Sequence, residues 1–487
     1  MTTPESLSEP GNQLAVIVLA AGAGTRMKSR IAKPLHEIAG LPLIGHVLRT
    51  AHELQPQHVV AVVRHERDQM VEAIRSFSES VIIADQDEIP GTGRAVELGL
   101  AALPEDFDGT VVVLSGDVPL IDAATLHELI AEHDRSVNAM TVLSTHLASP
   151  GEFGRIIRNR GGSFEAIVEF KDASDEQRQV TEINGGIYVF GATELRIALE
   201  QIGANNAQGE KYLTDAAQSI QESGGRIEAM PTNDAWLVAG INDRVQLAEA
   251  SRELNNRIVE RWQRAGVTIQ DPASTWVDID VALEPDVTIL PGTQLRGTTS
   301  VASGSVVGPD TTLANTRVGS GTSVRRADAM DAVIGDGVTI GPWAYLRPGT
   351  VVESRGKLGA FVETKNTRIG QGSKVPHLSY LGDAEVGEGV NVAAGNITAN
   401  YDGVSKNRTV IGDFVHTGVN TVFIAPVTVG DGAYTGAGAV IRKEVASGAL
   451  AINVAPQRNM EGWVQQHRPG SAAADAATDA TNAEDNA

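Results

Sequence analysis

From Leu14 onward, short runs of β-branched residues alternate with segments whose apolar positions recur about every 3.6 residues. The runs Leu14–Leu19, His58–Val63 and Thr110–Leu114 read as buried parallel strands. Pro42–Leu54, Glu66–Phe77 and Gly93–Leu103 read as the helices between them. This alternation predicts an α/β, Rossmann-like domain over residues 13–241, a doubly wound sheet with helices on both faces. Ligands of such sheets gather at the carboxyl ends of the strands. The pattern then changes. Leu247, Leu254, Ile258 and Trp262 fall on one helical face, and charged residues fill the other, which predicts a linking helix over 242–266.

From Val267 the period changes again. An aliphatic residue, often followed by Gly, recurs about every six residues, as in Ile334-Gly335, Ile340-Gly341, Ile369-Gly370, Val386-Gly387, Ile411-Gly412 and Val429-Gly430. A sustained period of this kind predicts a left-handed parallel β-helix of hexapeptide repeats over 267–468. Its aliphatic residues would stack inside a prism, with Gly and Asn at corners where a positive φ is needed. A β-sandwich would instead show turn signals every 8–12 residues or so. Residues 1–12 are polar, and the acidic tail 469–487 is rich in Ala, Asp and Thr; both are expected to be disordered.

Composition narrows the function. A chain of 487 residues exceeds one ordinary core. Its 51 glycines and 4% aromatics suit tight turns and small inward side chains. A net charge of −22 argues against a nucleic-acid or anionic-membrane surface but permits small anionic substrates held by a few local cations. The absence of cysteine excludes disulfides, thiolate metal sites and a Cys nucleophile. There is no signal-peptide pattern and no apolar run of membrane-spanning length, so a cytoplasmic location is expected.

The first candidate site follows the first strand, in Leu19-Ala20-Ala21-Gly22-Ala23-Gly24-Thr25-Arg26-Met27, with Lys33 before Pro34. Two glycines let backbone N–H groups approach phosphate oxygens, and Arg26 and Lys33 add positive charge. The residues alone leave open a tight strand-to-helix turn without a ligand. Two rival phosphate motifs fail. Met27 stands where the dinucleotide fingerprint needs its third glycine, and no P-loop string occurs. Asp117, within Ser115-Gly116-Asp117-Val118-Pro119-Leu120, stands just beyond the buried run Val111–Leu114; it and Asn242 could each also be a helix cap.

This string resembles the sugar-1-phosphate nucleotidylyltransferases. Gln86, Gly91-Thr92-Gly93, Phe153-Gly154-Arg155-Ile156, Glu169, Glu182-Ile183-Asn184, Lys211-Tyr212-Leu213-Thr214-Asp215 and Gly240-Ile241-Asn242 follow in that family's order. With the β-helix behind them, residues 14–465 resemble the bifunctional bacterial N-acetylglucosamine-1-phosphate uridylyltransferase and glucosamine-1-phosphate N-acetyltransferase family. The resemblance implies synthesis of UDP-N-acetylglucosamine, a precursor of peptidoglycan and other envelope polysaccharides. Acetyl-CoA would acetylate glucosamine-1-phosphate, and UTP would then donate UMP to N-acetylglucosamine-1-phosphate with release of pyrophosphate. By the same resemblance, Leu19, Ala20, Gly22 and Gly24 cradle the nucleotide, and Arg26 and Lys33 neutralise the triphosphate as catalytic groups. Asp117 and Asn242 hold Mg²⁺, Gln86, Gly91 and Thr92 read the uracil, and Gly154, Glu169 and Asn184 hold the amino sugar.

The second candidate site lies within the repeats. Arg347-Pro348-Gly349 breaks the period, and Lys365, the string Ser373-Lys374-Val375-Pro376-His377-Leu378-Ser379-Tyr380, Asn391, Asn400-Tyr401 and Lys406 are polar or aromatic residues that prism packing does not need. A lone His is ordinarily structural; the string around His377 favours a functional one. Imidazole is the side chain there suited to take a proton near neutral pH. The resemblance makes His377 the general base and gives the sugar phosphate to Arg347, Lys365 and Lys406. It assigns Tyr380, Asn391, Asn400 and Tyr401 to the sugar, and Ala394, Val419, Ala437 and Arg442 to acetyl-CoA. It also implies a homotrimer. The chain departs from the family at Ile89 and Pro90, at Arg94 where His is usual, and at Val419 where Ser is usual. Two alternatives remain open here: a nucleotidylyltransferase for another sugar or base, and a regulatory scaffold with inactive sites.

Overall fold

The computed structural model describes residues 13–203, 209–453 and 455–485; the leader expected over 1–12 lies outside them. The chain divides into two compact units, one ending at Ser300 and one beginning at Val301.

The first unit is built on a seven-strand path: β1 (Leu14–Ala20), β2 (His58–Val63), β3 (Ile82–Asp85), β4 (Thr110–Ser115), β5 (Met140–His146), β6 (Glu182–Gly191) and β7 (Ile227–Thr232). Their order across the sheet is β7-β5-β6-β4-β1-β2-β3. Four of the six pairings are parallel, those of β6 with β4 and β5 are antiparallel, and β1 lies between β2 and β4. Because side chains alternate across a strand, each central strand feeds two cores. Ile17 and Val113 belong to one core, with Phe190 and Leu195. Val16, Val18, Val112 and Leu114 belong to the other, with Ile44 and Leu48. Both faces of β1 and β4 are therefore dry, and polar residues that follow them emerge at the strand ends.

The linking helix runs Arg244–Arg264, close to its expected span. The first unit does not end with it. The short strands Thr268–Ile269 and Trp276–Val277 pair in parallel with Thr288–Ile289 and Gln294–Arg296. This first stretch of repeat is tied back to the helix by Asn255, which is 1% exposed. Its Nδ2 donates to the Thr275 carbonyl at 2.8 Å, and its Oδ1 accepts from the Val277 amide at 3.0 Å. Ile279 N–H also donates to the Ala39 carbonyl at 3.0 Å, and Arg49 pairs with Asp280 at 2.7 Å. The change of sequence period near Val267 thus marks a change of secondary structure, while the compact unit extends further.

In the second unit, three stacks of short parallel strands form a β-helix. Val307, Val324, Ile340, Leu358 and Val375 are in register on successive coils and fully buried. A second aligned stack holds Val318, Ile334, Val352, Ile369, Val386, Ile411 and Val429. Ile369 and Val386 are 17 residues apart, but Val386 pairs with Ile411, 25 residues on. The extra chain leaves the coil as an excursion around 400–407.

Gly and Asn do take positive φ at corners such as Gly308, Gly341, Asn315 and Asn366, but the glycines directly after the second-stack aliphatics, such as Gly387 and Gly412, do not. They are required by close approach instead: a Cβ on Gly387 would lie 2.7 Å from the Gly412 carbonyl carbon, and one on Gly412 would lie 3.1 Å from the Gly430 carbonyl carbon. In the tail 469–487, expected to be disordered, Ala472–Asp485 is helical. That stretch lacks bulky apolar residues but is rich in Ala, the strongest helix former.

The Asn255 contacts lead to a prediction. A fragment ending at Ala265 loses both Asn255 bonds to the first repeat, worth about 1–3 kcal/mol together. A fragment ending at Ser300 keeps both bonds. The longer fragment is expected to melt at least ~2 °C higher. Equal melting temperatures in parallel calorimetry would show that the first repeat adds no stability.

Candidate functional site

In the first unit, β1 ends at Ala20 and the loop Ala21–Gly24 leads into a short 3₁₀ turn, Thr25–Met27. Gly24 has φ +58, and a Cβ there would meet the Lys33 Cβ at 2.5 Å, so this loop folds over Lys33 only with glycine at 24. The Lys33 side chain is 14% exposed. Its ammonium contacts Asp117 Oδ2 and donates to Asn242 Oδ1 at 3.1 Å. Arg26 Nη2 donates to the same Asn242 oxygen at 2.9 Å.

Asp117 is placed by the end of β4. Gly116 N–H donates to the Leu19 carbonyl at 2.9 Å, and Ile241 N–H donates to the Asp117 carbonyl at 3.0 Å. Neither metal candidate caps a helix. Asp122 caps Ala123–Arg135, and Asp243 caps the long helix by accepting from Val245 and Gln246 N–H at 2.9 Å. The carboxylate of Asp117 and the carboxamide oxygen of Asn242 therefore point at one cation, the Lys33 ammonium. Two hard oxygen donors that converge on a positive charge fit a divalent ion completed by phosphate oxygens and water.

A cavity of about 370 Å³ opens beside this cluster. It is lined by Leu19, Ala20, Gly22, Lys33, Gln86, Gly91, Thr92 and Asp117, which joins the expected phosphate and base residues. Gly154, Glu169 and Asn184 form an adjoining group. Asn184 N–H donates to the Gly154 carbonyl at 2.9 Å, and a Cβ on Gly154 would lie 3.4 Å from Glu169 Oε2. Burial raises the Glu169 carboxyl above its ordinary value, partly opposed by the bond from Thr214 Oγ1 at 3.1 Å. Asn184 Nδ2 donates to Tyr188 Oη at 2.7 Å, and its Oδ1 accepts from Gly186 N–H at 3.0 Å. The group meets the cavity near Gly186, where a Cβ would lie 4.0 Å from Ser115 Oγ. Sequence reasoning gave Thr214 no role; only its place in the K-Y-L-T-D string marked it.

In the second unit, the coils bring Arg347, Lys365 and Lys406 together. Arg347 N–H donates to the Thr364 carbonyl at 2.9 Å, and its Nη1 donates to Glu363 at 3.0 Å. The Lys406 ammonium beside Lys365 pulls the Lys365 pKa down, and Arg347 acts in the same direction. Such mutual repulsion among three cations is relieved by an anion. Asp383, unassigned by the sequence reading, lies under this group. It accepts from Asn366 Nδ2 at 2.7 Å and from Asn400 Nδ2 at 2.5 Å, and these bonds outweigh burial and hold its carboxyl below the ordinary range.

The excursion beyond Asn400 is folded on itself. Asp402 accepts from Ser405 N–H at 2.7 Å, Val404 N–H at 2.8 Å and Asn407 Nδ2 at 3.0 Å, which hold its carboxyl low. Tyr401 pairs with Lys406, and Tyr401 Oη donates to the Gly403 carbonyl at 2.7 Å. Glu363 is in register with Tyr380, so the cation group and the His377–Tyr380 string share neighbouring coils. Asn391 bridges Lys374.

His377 stands on a corner that continues through the acetyl-CoA candidates. Gly395 N–H donates to the His377 carbonyl at 3.3 Å, Asn420 N–H to the Ala394 carbonyl at 2.8 Å, and Gly438 N–H to the Val419 carbonyl at 2.8 Å. His377, Ala394, Val419 and Ala437 thus follow one another up a single corner, with Val419 46% exposed. Arg442 follows the strand Val440–Ile441 and makes no hydrogen bond or ion pair to this corner among the described residues.

Both units are similar to known proteins. Residues 16–217 match the family of MobA-like NTP transferase domains, and residues 408–443 match the bacterial transferase hexapeptide family (six repeats). The chain is 60% identical to the bifunctional protein GlmU of Clavibacter sepedonicus, over 96% of this chain and 95% of that one. It is 56% identical to the bifunctional protein GlmU of Pseudarthrobacter chlorophenolicus, over 96% of each chain. It is 58% identical to that of Leifsonia xyli subsp. xyli, over 95% of this chain and 96% of that one. A nucleotidyltransferase unit followed by a hexapeptide β-helix, with relatives this similar along nearly the whole length, makes the chain a member of the bifunctional GlmU family, a uridylyltransferase and glucosamine-1-phosphate acetyltransferase of UDP-N-acetylglucosamine synthesis.

Proposed function

We propose that the two activities use the two residue groups described above, with Mg²⁺ and UTP at the first and acetyl-CoA at the second. The observation that carries the first assignment is the convergence of Asp117 and Asn242 on the Lys33 ammonium. Lys33 stands in for the cation that these oxygens would hold. Bound there, Mg²⁺ would neutralise phosphate charge. Lys33 and Arg26, freed from Asp117 and Asn242, would turn to the triphosphate. The phosphate of N-acetylglucosamine-1-phosphate attacks the α-phosphorus of UTP, the bond to the β-phosphate oxygen breaks, and pyrophosphate leaves. No protein nucleophile is needed, so the chain contributes position and charge. Glu169 and Asn184 orient the sugar; Gln86, Gly91 and Thr92 read the base.

At the second group, Arg347, Lys365 and Lys406 seat the phosphate of glucosamine-1-phosphate. Tyr380, Asn391, Asn400 and Tyr401 orient the sugar, and Asp383 fixes the Asn400 amide. The amine attacks the thioester carbonyl of acetyl-CoA, His377 takes its proton, and the coenzyme thiolate leaves. The corner formed by Ala394, Val419 and Ala437 supplies backbone for the thioester end. Arg442 is kept as a coenzyme contact on resemblance alone.

A homotrimer fits an exposed apolar stripe beside this corner. Trp343, Phe361 and Leu378 are 55%, 59% and 61% exposed, one on each of three successive coils. Backbone bonds tie their coils together, from Phe361 N–H to the Trp343 carbonyl and from Leu378 N–H to the carbonyl of Ala360, the residue before Phe361. Packing neighbouring β-helices on this stripe would bury it next to His377. No helix among the described residues is long and apolar enough to cross a membrane, in keeping with cytoplasmic small-molecule chemistry.

Three outcomes test these assignments. Asp117→Asn keeps the shape and removes the charge. It is expected to lower uridylyl transfer at least ~100-fold, since metal-assisted charge stabilisation is worth several kcal/mol, and to leave acetyl transfer unchanged. Near-normal pyrophosphate release would remove Asp117 from the site. His377→Ala is expected to lower acetyl transfer by about 10²–10⁴-fold with uridylyl transfer intact. Acetyl transfer at the wild-type rate would make His377 a structural corner residue. The wild type is expected to be an active acetyltransferase despite Val419, because a backbone N–H can polarise a thioester carbonyl. Val419→Ser should then change kcat by no more than roughly tenfold, ~1.4 kcal/mol. A much larger gain would show that the natural second site is impaired.

A further inference from the structure

The segment after β3 contains an ion-pair network that the uridylyl-transfer assignment does not use. Gln86 Nε2 donates to two carbonyls of its own loop, Ile89 at 3.1 Å and Gly91 at 3.2 Å. Its Oε1 receives no hydrogen bond among the described residues, so the carboxamide presents an acceptor. That orientation has chemical consequences. Uracil carries a proton on N3 and can donate to an oxygen, whereas cytosine has a lone pair there and would face it with repulsion. The direction of one amide therefore sorts the two pyrimidines, provided the carbonyls that fix it do not move.

Those carbonyls are held from outside the loop. Arg94, on the helix Thr92–Ala101, places Nε at 3.0 Å from Asp87 Oδ2 and brings Nη2 to the same oxygen. The other Asp87 oxygen, Oδ1, accepts from Ile89 N–H at 3.1 Å. The Arg94 bonds hold the Asp87 carboxyl below its ordinary value. Arg94 Nη1 also donates to Glu97 Oε2 at 2.8 Å, where Lys211 Nζ arrives at 2.9 Å. Lys211 in turn braces the far end of the loop through its backbone. Its N–H donates to the Pro90 carbonyl at 3.0 Å, and its carbonyl accepts from Gly93 N–H at 2.8 Å. One chain of charges thus runs from the helix to both ends of the 86–91 loop.

We propose that Arg94 is a specificity-determining positioning residue: through Asp87 it fixes the 86–91 loop and so the Gln86 amide, and this sets the preference for UTP over CTP. The proposal rests on the reading of Gln86 as the base-contacting side chain. Loosening the Arg94–Asp87 pair frees the Ile89 amide and carbonyl, the Gln86 carboxamide turns, and its NH₂ can then face the cytosine N3 lone pair.

The test uses the full-length enzyme with N-acetylglucosamine-1-phosphate and either UTP or CTP, reading pyrophosphate release. The proteins are wild type, Arg94→Gln, Asp87→Asn, the double variant and Gln86→Leu, with acetyl transfer as the folding control. Asp87→Asn keeps Oδ1 for the Ile89 amide and removes the charge, so it serves if Arg94→Gln fails to fold. Arg94→Gln and Asp87→Asn are each expected to lower the UTP-to-CTP ratio of kcat/KM about tenfold, chiefly through KM for UTP, as a displaced binding group does. The double variant should fall no further than the worse single, because both act through one contact. Gln86→Leu should lower the ratio at least as far. If Gln86→Leu lowers the ratio while the Arg94 and Asp87 variants slow UTP and CTP alike, the positioning role is overturned and the base reading stands. If Gln86→Leu leaves the ratio at the wild-type value, the base reading falls and the positioning role with it.

Discussion

The first candidate site is organised around one half-buried cation. The Lys33 ammonium joins Asp117 at the end of β4 to Asn242 ahead of the long helix, and Arg26 closes the same cluster through Asn242. Segments that lie more than 200 residues apart in the chain are drawn to one point, since Lys33 and Asn242 are separated by 209 positions. A largely desolvated ammonium must be matched by oxygen, and the surrounding loops are arranged around that need. The turn at Gly24 has positive φ because the chain must fold back over the Lys33 stem. The carboxyl ends of β1 and β4 are pinned by Gly116 N–H on the Leu19 carbonyl, which keeps the carboxylate opposite the amine.

Both sites are local exceptions to an acidic molecule. The chain carries a net charge of −22, yet each group gathers cations against carboxylates that are fewer or already engaged. In the second unit, Arg347 is paired with Glu363, while Asp383 is turned to two carboxamides. The unbalanced charge of Lys365 and Lys406 is left facing outward, and its mutual repulsion is energy that a bound phosphate would recover. Local charge, set by a handful of side chains on rigid coils, decides the ligand, and the overall balance does not.

Much of this was legible in the sequence, for physical reasons. The strands β1, β2 and β4 are dry on both faces, so their β-branched runs stand out, and the six-residue period is the direct imprint of coils that stack aliphatic on aliphatic. The phosphate and base residues follow strand ends and carry distinctive strings. What was hidden is what depends on partners remote in sequence. Arg94 looked only like a departure from a family pattern, because its meaning lies in Asp87 and Glu97. Thr214 and Asp383 act by orienting other side chains, and no local pattern marks such a role. That the first compact unit runs past the change of period near Val267 depends on Asn255, which binds the first stretch of repeat from 20 and 22 residues away. For the glycines after each second-stack aliphatic the limiting quantity is the gap between coils, which no local dihedral preference reveals.

The excursion over 400–407 separates what may not vary from what is free to. Its two ends are held together by Asn407 N–H on the Asn400 carbonyl at 2.7 Å, so the coils below are indifferent to how much chain passes between them. Closing a longer loop between fixed ends costs little, about 0.6 kcal/mol for each doubling of its length. The stacked interior can change only by whole coils, whereas this one gap can lengthen, shorten or exchange its residues without disturbing a single inner contact. Tyr401 and Lys406 sit in that gap. Two of the residues proposed for the second site thus sit on the part of the polymer that is easiest to rewrite, while His377 and Lys365 stand on the coils that hold it in place.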